Sequence, residues 1–539
     1  MRSFVSATLV FCAFVVPPVQ SQVHNHPSTE ALGSVTFLTS CKPAVQPQVN
    51  RAVALMHSFQ FGSAIQGFNS VLAADPKCVI ADWGIALSTW GNPFAGSKSS
   101  AQVEQGLRAV ERGRAIEGGT ARERAYLEAV AHLYVDSAHL SQSTRVLAYE
   151  HAMDAVRAAY PEDTEATIFY ALALAADADP SDKTYANRLK AGSLLEALFA
   201  KQPDHPGLAH YIIHAYDDPA LAPRASKAAR RYGTIAPSTP HALHMPSHTF
   251  TRVGDWDSSI DSNVASAAAA RAAHQPADVL HASDYMVYAY LQTVQDEAAK
   301  RVVEASAQTF TEFDPAHANG AAPASAAYFA HAAIPARYDL ERQAWSDAAR
   351  LQPSPSPLPW VNAITSFARG LGAAHVGDGP GLHAAIDSLQ QIQDKLAQTK
   401  DDYWADQVDI ERQELVAMQN LMEGHQDEAI TAMRRAADQE DKTESATVTP
   451  GPFKPARETL GELLLQAKRP AEALKEFQAT LTREPNRFWS LYGSAEAAKL
   501  SGDRKQAKVY FQKLLDVAKH ADKSERPQLA EARAFVLQK

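Results

Sequence analysis

Apolar side chains recur every three to four residues along most of the chain, which is the spacing of one face of an α-helix. Between residues 101 and 175, for example, the segments LRAVERGRAIE, ARERAYLEAVAHLYV and YEHAMDAVRAAY follow one another with this spacing. Proline-rich stretches at 353–358 and 442–455 cannot continue a helix. The pattern therefore predicts an all-α protein that is interrupted at these two stretches.

The helices are predicted to repeat as pairs. Near each end of the chain an alanine, a phenylalanine, a leucine and a proline follow one another at intervals of four residues, and a partial copy follows the second set. The offset from Ala473 to Ala507 is the period of tetratricopeptide (TPR) repeats, about 34 residues, in which the small residue lets two helices approach and the aromatic ring fills the seam. We therefore expect a TPR-like α-solenoid, a right-handed superhelix of helical hairpins. The positions are Ala64, Phe68, Leu72 and Pro76; Ala473, Phe477, Leu481 and Pro485; and Ala507, Phe511 and Leu515.

The two proline-rich stretches also suggest how the chain is divided. We predict a solenoid over residues 22–350, a helical connector over 351–402 and a C-terminal TPR array over 403–539. One continuous superhelix is the alternative, because repeat units stack without a fixed limit.

Histidines are concentrated near the middle of the chain, where residues 205–248 hold six of the twenty. His210 and His244 are separated by one full TPR period, and so are His214 and His248. Equivalent positions of neighbouring repeats lie side by side, usually on the concave face, and residues four apart share one face of a helix. The two His-x3-His pairs are therefore expected to converge in the groove.

Neutral imidazoles gathered in this way favour a transition metal, with copper, zinc or iron as the candidates. Pro246 lies inside the second pair and predicts a kink or a late start of that helix. A single helical histidine is more often a hydrogen-bonding residue of a core or groove, so a metal-free groove is the alternative interpretation. Asp217, Asp218 or His281 would complete the coordination or orient the imidazoles. The predicted ligands are His210, His214, His244 and His248, with His241, His281 and Asp218 as additional ligands.

The first residues have the features of a secretory signal peptide. Arg2 supplies a positive charge, Phe4 to Val16 form an apolar stretch too short to span a bilayer, and Val19-Gln20-Ser21 resembles a cleavage site. We therefore predict a signal peptide over residues 1–21 and an exported protein, periplasmic or extracellular.

Cleavage at this point removes Cys12 and leaves two cysteines, Cys41 and Cys78. In an oxidising compartment such a pair favours a disulfide. Two buried free thiols are the alternative.

Charge and motifs argue against several classes of protein. The formal net charge is −10 at pH 7 and is spread along the chain without a basic block, so neither a nucleic acid nor an anionic membrane is the expected partner. No run of eighteen apolar residues follows the signal peptide, so the mature chain is expected to lack a membrane span. The sequence also lacks the GxSxG, P-loop and Rossmann glycine motifs.

Four stretches of the chain resemble a group of bacterial TPR proteins that is distantly similar to the animal tetratricopeptide repeat protein 38 family. The stretches are LMHSFQFGSAIQGFNSVLAADPKCVIADWGIALSTWGNPF, HPGLAHYIIHAYDDP, HALHMPSHTFTRVGDWDSSIDSN and EPNRFWSLYGSAEAAKLSGD, and they span both ends and the centre. The resemblance implies an all-α superhelix. It implies no reaction and no role for the histidines.

Two hypotheses of function follow. The first is an exported binding scaffold whose concave groove carries the histidine cluster and binds a peptide or protein partner, with or without a transition metal. The alternative is a metalloenzyme, an oxidoreductase or a hydrolase, whose active site is the histidine cluster.

Overall fold

The computed structural model describes residues 30–179, 181–318, 320–354, 356–444, 446, 448–523 and 526–538. Within these residues the regular secondary structure is helical, and no β-strand occurs. The predicted signal peptide, residues 1–21, lies outside them. The helices are α1 Gln46–His57, α2 Phe61–Ala74, α3 Val79–Trp90, α4 Ser100–Ala115, α5 Ala121–Ala131, α6 Gln142–Ala159, α7 Thr164–Ala176, α8 Ala186–Phe199, α9 Pro206–Ala215, α10 Ala222–Ile235, α11 Pro240–His244, α12 Pro246–Arg252, α13 Trp256–Ala272, α14 Pro276–Gln292, α15 Asp296–Thr311, α16 Ala324–Glu341, α17 Trp345–Ala348, α18 Pro359–Val376, α19 Gly379–Gln398, α20 Asp402–Met422, α21 Gln426–Glu440, α22 Ala456–Gln466, α23 Pro470–Arg483, α24 Phe488–Leu500, α25 Arg504–Val517 and α26 Pro527–Leu537, with 3-10 turns at Pro43–Val45 and Pro315–His317.

Neighbouring helices in the chain are also neighbours in space. Helix α1 packs against α2, α13 against α14 and α18 against α19, and many helices also contact the next helix but one, as α14 contacts α16 and α22 contacts α24. This succession is the packing pattern of a helical-repeat solenoid, in which each pair stacks on the next. The predicted all-α, TPR-like fold is confirmed. No helix in the described part of the chain is long and apolar enough to cross a membrane.

The aromatic positions of the predicted repeats fill the seams between helices. The ring of Phe68 on α2 occupies the space beside Gly84 of α3, where a Cβ atom would come within 2.3 Å of it. Near the other end, the ring of Phe477 lies between Gly461 and Gly493, whose added Cβ atoms would come within 2.8 Å and 2.4 Å of it. Glycine is required at these positions because any larger residue would displace the ring.

The C-terminal helices pack back against the central ones. One apolar cluster runs from Phe329 to Ala497 and crosses both predicted boundaries, near residues 350 and 402. The indole Nε1 of Trp489 also donates to the carbonyl of Glu341 at 2.8 Å. The division into three units therefore stays a prediction, since the apolar core is continuous across it.

The described residues between α21 and α22 are non-helical, as the prolines predict, and arginines from three other helices hold them in place. Arg252 Nη1 donates to the carbonyl of Pro450 at 2.9 Å, and Arg337 Nη2 donates to Thr449 Oγ1 at 2.7 Å. Arg188 bonds the carboxylate of Glu444 at 2.6 Å. We call residues 448–455 of this segment the strap.

Cys41 and Cys78 form a disulfide, with their Cα atoms 4.8 Å apart. The bond ties the segment before the first helix to the start of α3, because Cys78 is the residue preceding that helix. The N-terminal end of the solenoid is thereby closed covalently.

Replacing Ala473 with leucine tests the repeat register. Ala473 is fully buried in α23, so the added carbons overpack the seam and should lower the free energy of unfolding by about 1–3 kcal/mol. Ala471→Leu, on the exposed side of the same helix, is the control and should change it little. Urea unfolding followed by circular dichroism measures both, and equal midpoints would contradict the register.

Candidate metal centre

Three segments carry the histidines of the central block. Helix α9 begins at Pro206, which suits a first helical turn because its missing N–H is not needed there, and it carries His210 and His214. The second pair is split, since α11 ends at His244 and α12 begins at Pro246. The predicted kink at this proline is confirmed.

The histidines assemble into two groups of three. In each group the candidate ligand atoms all lie within 4.8 Å of one another, which is close enough to hold one metal ion. We call them the first triad and the second triad. The first consists of His210, His214 and His241, and the second of His244, His248 and His281.

The two triads are adjacent. The ring centroids of His241 and His244 are 6.1 Å apart, and those of His214 and His248 are 6.3 Å apart. The two candidate sites are thus neighbours within one histidine cluster.

Within each triad two imidazoles already point the same ring nitrogen at each other. Nε2 of His210 lies 3.1 Å from Nε2 of His241, and Nε2 of His244 lies 3.0 Å from Nε2 of His248. Two nitrogens bound to one tetrahedral ion at 2.0–2.1 Å are about 3.3 Å apart. The observed separations are thus close to those of two ligands sharing an ion.

Three of the rings are held from outside the cluster through Nδ1. Such bonds fix the ring and the tautomer, and they are the usual support of metal-binding histidines. The partners are the carbonyl of His57 for His210 (2.6 Å), Asn263 Oδ1 for His244 (2.6 Å) and Asp217 Oδ2 for His248 (2.8 Å).

These bonds determine where the protons of His244 and His248 lie. Asp217 Oδ2 accepts, and so does Asn263 Oδ1, because the amide nitrogen of Asn263 donates to the carbonyl of Ser259 at 2.8 Å. Both Nδ1 atoms therefore carry hydrogen, and a neutral imidazole carries only one. Two Nε2 lone pairs then face each other at 3.0 Å, and a proton or a metal ion between them would relieve their repulsion.

Other ring nitrogens distinguish a proton from a metal ion. In the described chain, both ring nitrogens of His214 and Nδ1 of His281 are buried without a hydrogen-bond partner. Each such group costs about 1–3 kcal/mol. A proton between His244 and His248 would leave all of them unsatisfied, whereas metal ions in both triads would give His214 and His281 a ligand role.

Burial keeps five of the six imidazoles neutral. It lowers the pKa of His210 and of His281 to about 3. Burial, with the neighbouring imidazoles as the next cause, holds the pKa of His214, His241 and His244 well below the ordinary value. Neutral imidazole is the form that binds metal, so these five residues need no deprotonation at pH 7.

A buried ion pair stands behind the second triad. Asp217 bonds His248 through one oxygen and accepts from Arg252 Nε through the other at 3.1 Å. Burial alone would raise the pKa of Asp217, but Arg252 and His248 outweigh it and hold that pKa below its ordinary value. A permanent negative charge therefore lies next to the second triad.

The structure differs from the sequence prediction in two respects. Asp218 is outside both triads, because α9 ends at Ala215 and the Asp218 carboxylate accepts the N–H of Ala220 at 2.8 Å. The histidines are also not on an open concave face, since five of the six side chains are at most 6% exposed. His241 and His281, predicted as additional ligands, each complete a triad.

A third cluster was missed by sequence reasoning. Glu165 accepts hydrogen bonds from His57 and His205, both at 2.9 Å. Its members come from distant segments, so no spacing signals it. The His57 ring lies so close to α9 that a Cβ on Gly207 would come within 2.4 Å of His57 Nδ1. The backbone carbonyl of His57 also accepts a hydrogen bond from His210. The third cluster thus positions the first triad.

Comparisons with known proteins add no function to this site. No known family model matches this chain, and no curated protein matches it. A human IFIT1 dimer with m7Gppp-AAAA is similar at 12% identity and a TM-score of 0.37, over 82% of this chain and 90% of that one. The Cut9–Hcn1 hetero-tetramer of the APC/C is similar at 10% identity and a TM-score of 0.31, over 92% and 96%. By its own helix packing the chain is a helical-repeat protein with a buried six-histidine cluster, and these likenesses assign it no ligand.

Replacing Arg252 with methionine tests the ion pair behind the second triad. The change leaves Asp217 buried without its cation, which should lower the free energy of unfolding by about 3–5 kcal/mol. Arg350→Met removes an exposed pair with Asp347 and should cost less than about 1 kcal/mol. Urea unfolding of both variants measures the difference, and similar midpoints would show that Asp217 is not held by Arg252.

Proposed function

We propose that this protein is a metalloprotein in which the two histidine triads bind a pair of transition-metal ions. The observation that carries the proposal is the contact between His244 Nε2 and His248 Nε2, 3.0 Å apart with both protons on the far side of the rings. Repulsion between the two lone pairs disappears when both donate to one ion. The unpartnered nitrogens of His214 and His281 favour a metal over a shared proton.

The ligand set favours copper or zinc, with iron third. The two triads contain imidazoles and no carboxylate. Imidazole suits copper, zinc, iron and nickel, and affinity along the divalent series is highest for copper. Hard cations such as magnesium and calcium prefer oxygen ligands and are poorly matched to this cluster.

A metal pair of this kind supports enzyme chemistry, and a metalloenzyme is our preferred form of the proposal. Three protein ligands leave a fourth position open on each ion. Copper in such a position supplies dioxygen and one-electron chemistry, and zinc supplies activated water, so an oxidoreductase or a hydrolase follows from the metal. The chain's own contribution is a dry, pre-oriented set of ligands, with Asp217, Asn263 and the His57 carbonyl holding the rings.

A binding scaffold for a peptide or protein is the second candidate, favoured by the solenoid fold, because stacked helical hairpins provide extended curved surfaces.

Export to a periplasm or to the extracellular space is part of the proposal. It is supported by the signal-like sequence at residues 1–21, and the disulfide between Cys41 and Cys78 is consistent with an oxidising compartment. The resemblance to bacterial relatives of the tetratricopeptide repeat protein 38 family fits this setting.

Elemental analysis by plasma mass spectrometry, on protein purified without an affinity tag, tests the metal pair. The wild-type chain should carry two equivalents of one metal. His281→Ala removes a ligand of the second triad alone and should reduce the content to about one equivalent. His210→Ala combined with His248→Ala removes a ligand from each triad and should reduce it to near zero.

The control is His383→Ala, because His383 is exposed and lies far along the chain in α19. It should retain two equivalents. Circular dichroism checks that each variant is still helical, so that loss of metal is not loss of fold. No metal in the wild-type protein after incubation with Cu²⁺ or Zn²⁺ would overturn the proposal and leave the shared proton and the scaffold role.

A further inference from the structure

A second unusual site lies in the C-terminal half, in a cavity of about 90 Å³ between α20, α21, α22, α23 and the strap. By the volume one water needs, it has room for roughly six water molecules. Four glutamates line it: Glu411 and Glu414 from α20, Glu440 from the end of α21, and Glu484, which follows α23. We call it the carboxylate cavity.

Glu411, Glu414 and Glu440 form no ion pair with a lysine or arginine in the described part of the chain. Glu414 is 1% exposed, and its Oε2 has no hydrogen-bond partner within the described chain. Glu440 accepts one backbone N–H, from Ala456 at 3.1 Å. Burial, and then the neighbouring carboxylates, raise the pKa of Glu411 to about 8 and hold that of Glu414 well above its ordinary value. Burial raises the pKa of Glu440 to about 7, although Arg483 opposes it. A buried carboxylate with an unmet oxygen points to a partner supplied from outside.

The other charged groups of the cavity are already paired. Each lysine or arginine in its wall bonds an acidic residue other than the three glutamates, and the fifth carboxylate accepts from a tyrosine. The pairs are Lys454 with Glu462 (2.8 Å), Arg457 with Glu476 (2.8 Å) and with Asp441 (2.5 Å), Arg483 with Asp441 (3.3 Å), and Glu484 with the Tyr288 hydroxyl (3.3 Å).

The spacing of the glutamates disfavours a bare metal ion. Three groups of ligating side chains in the described chain bring their atoms within 4.8 Å of one another, and none includes a glutamate of this cavity. The cavity is also lined by Tyr403 and Trp404, and the Trp404 ring is fixed by stacking on Trp360 at 4.2 Å. Aromatic faces beside carboxylates suit an organic cation with an apolar stem.

We propose that the carboxylate cavity binds a protonated amine or guanidinium on an aliphatic stem, with Glu411, Glu414 and Glu440 as its anionic partners and Trp404 beside the stem. A free alkylamine and a lysine or arginine side chain of a peptide share this chemistry. The inference does not depend on the metal centre, because no glutamate of the cavity belongs to either triad.

Isothermal titration calorimetry of the full chain tests the proposal with three probes. These are n-butylammonium, Nα-acetyl-lysine N-methylamide and its neutral isostere Nα-acetyl-norleucine N-methylamide. At least one charged probe should bind, and the norleucine probe should bind at least tenfold more weakly than the lysine probe. Stronger binding of butylammonium identifies a free amine as the ligand, and stronger binding of the lysine probe identifies a peptide side chain.

Glu414→Gln should weaken the charged probe at least tenfold, while Glu423→Gln, exposed directly after the end of the same helix, should not change it. If the Glu414→Gln variant does not fold, Glu411→Gln takes its place in the test.

Binding should also release protons, because an inserted cation favours ionised glutamates. The measured heat should then vary with the ionisation enthalpy of the buffer. Equal binding of the lysine and norleucine probes, no binding of either charged probe, or unchanged affinity in both glutamine variants would each overturn the proposal. The metal content of these variants should equal that of the wild type, so failure here is distinct from failure of the metal pair.

Discussion

The centre of this protein depends on the contact between His244 Nε2 and His248 Nε2. Their protons are held on the opposite ring nitrogens by Asn263 and Asp217, so two lone pairs meet at 3.0 Å. In a site sealed from water, such a contact is unfavourable unless a cation lies between the rings. Much of the surrounding structure fixes the far side of the rings: the His57 carbonyl on His210, the amide of Asn263 and the carboxylate of Asp217, itself held by Arg252. Rings so constrained cannot turn away from each other to relieve the repulsion.

The repeat geometry explains why six imidazoles meet. The TPR period brings His214 near its equivalent His248, with ring centroids 6.3 Å apart, and the break at Pro246 ends α11 at His244 and begins α12, which carries His248. Without that break His241, His244 and His248 would follow one straight helix. With it, His241 joins the pair on α9, and His281 on α14 joins the other pair. The proline that weakens the helical pattern thus divides the cluster into two triads.

The fold and the gathering of the four central histidines into one region could be predicted from the sequence because both depend on local spacing. Phe68 and Phe477 predict the seams between paired helices. The doubled His-x3-His pattern predicts that the histidines of each pair lie on one helix face. The burial of the cluster could not be predicted, since it depends on rings from distant segments, such as Phe59 and Phe94, which stack on His214. The prediction of Asp218 as a ligand assumed that α9 continues, but the helix ends at Ala215. The contacts of Glu165 and of Asn263, and the carboxylate cavity, join side chains from separate helices. No periodic spacing in the sequence predicts such contacts.

The strap joins the two candidate sites. The hydroxyl of Tyr285 lies 3.3 Å from His248 Nδ1 and donates to the carbonyl of Thr449 at 3.4 Å, while Thr449 also lines the carboxylate cavity. Arg252 pairs with Asp217 behind His248 and also holds the strap at Pro450. The same short segment is therefore a wall of the cavity and a support of the second triad. A displacement of the strap would disturb both places at once, because Tyr285 and Arg252 each contact it on one side and the surroundings of His248 on the other. The buried arginines that hold the strap thus do more than neutralise charge, since they support both the candidate metal centre and the carboxylate cavity.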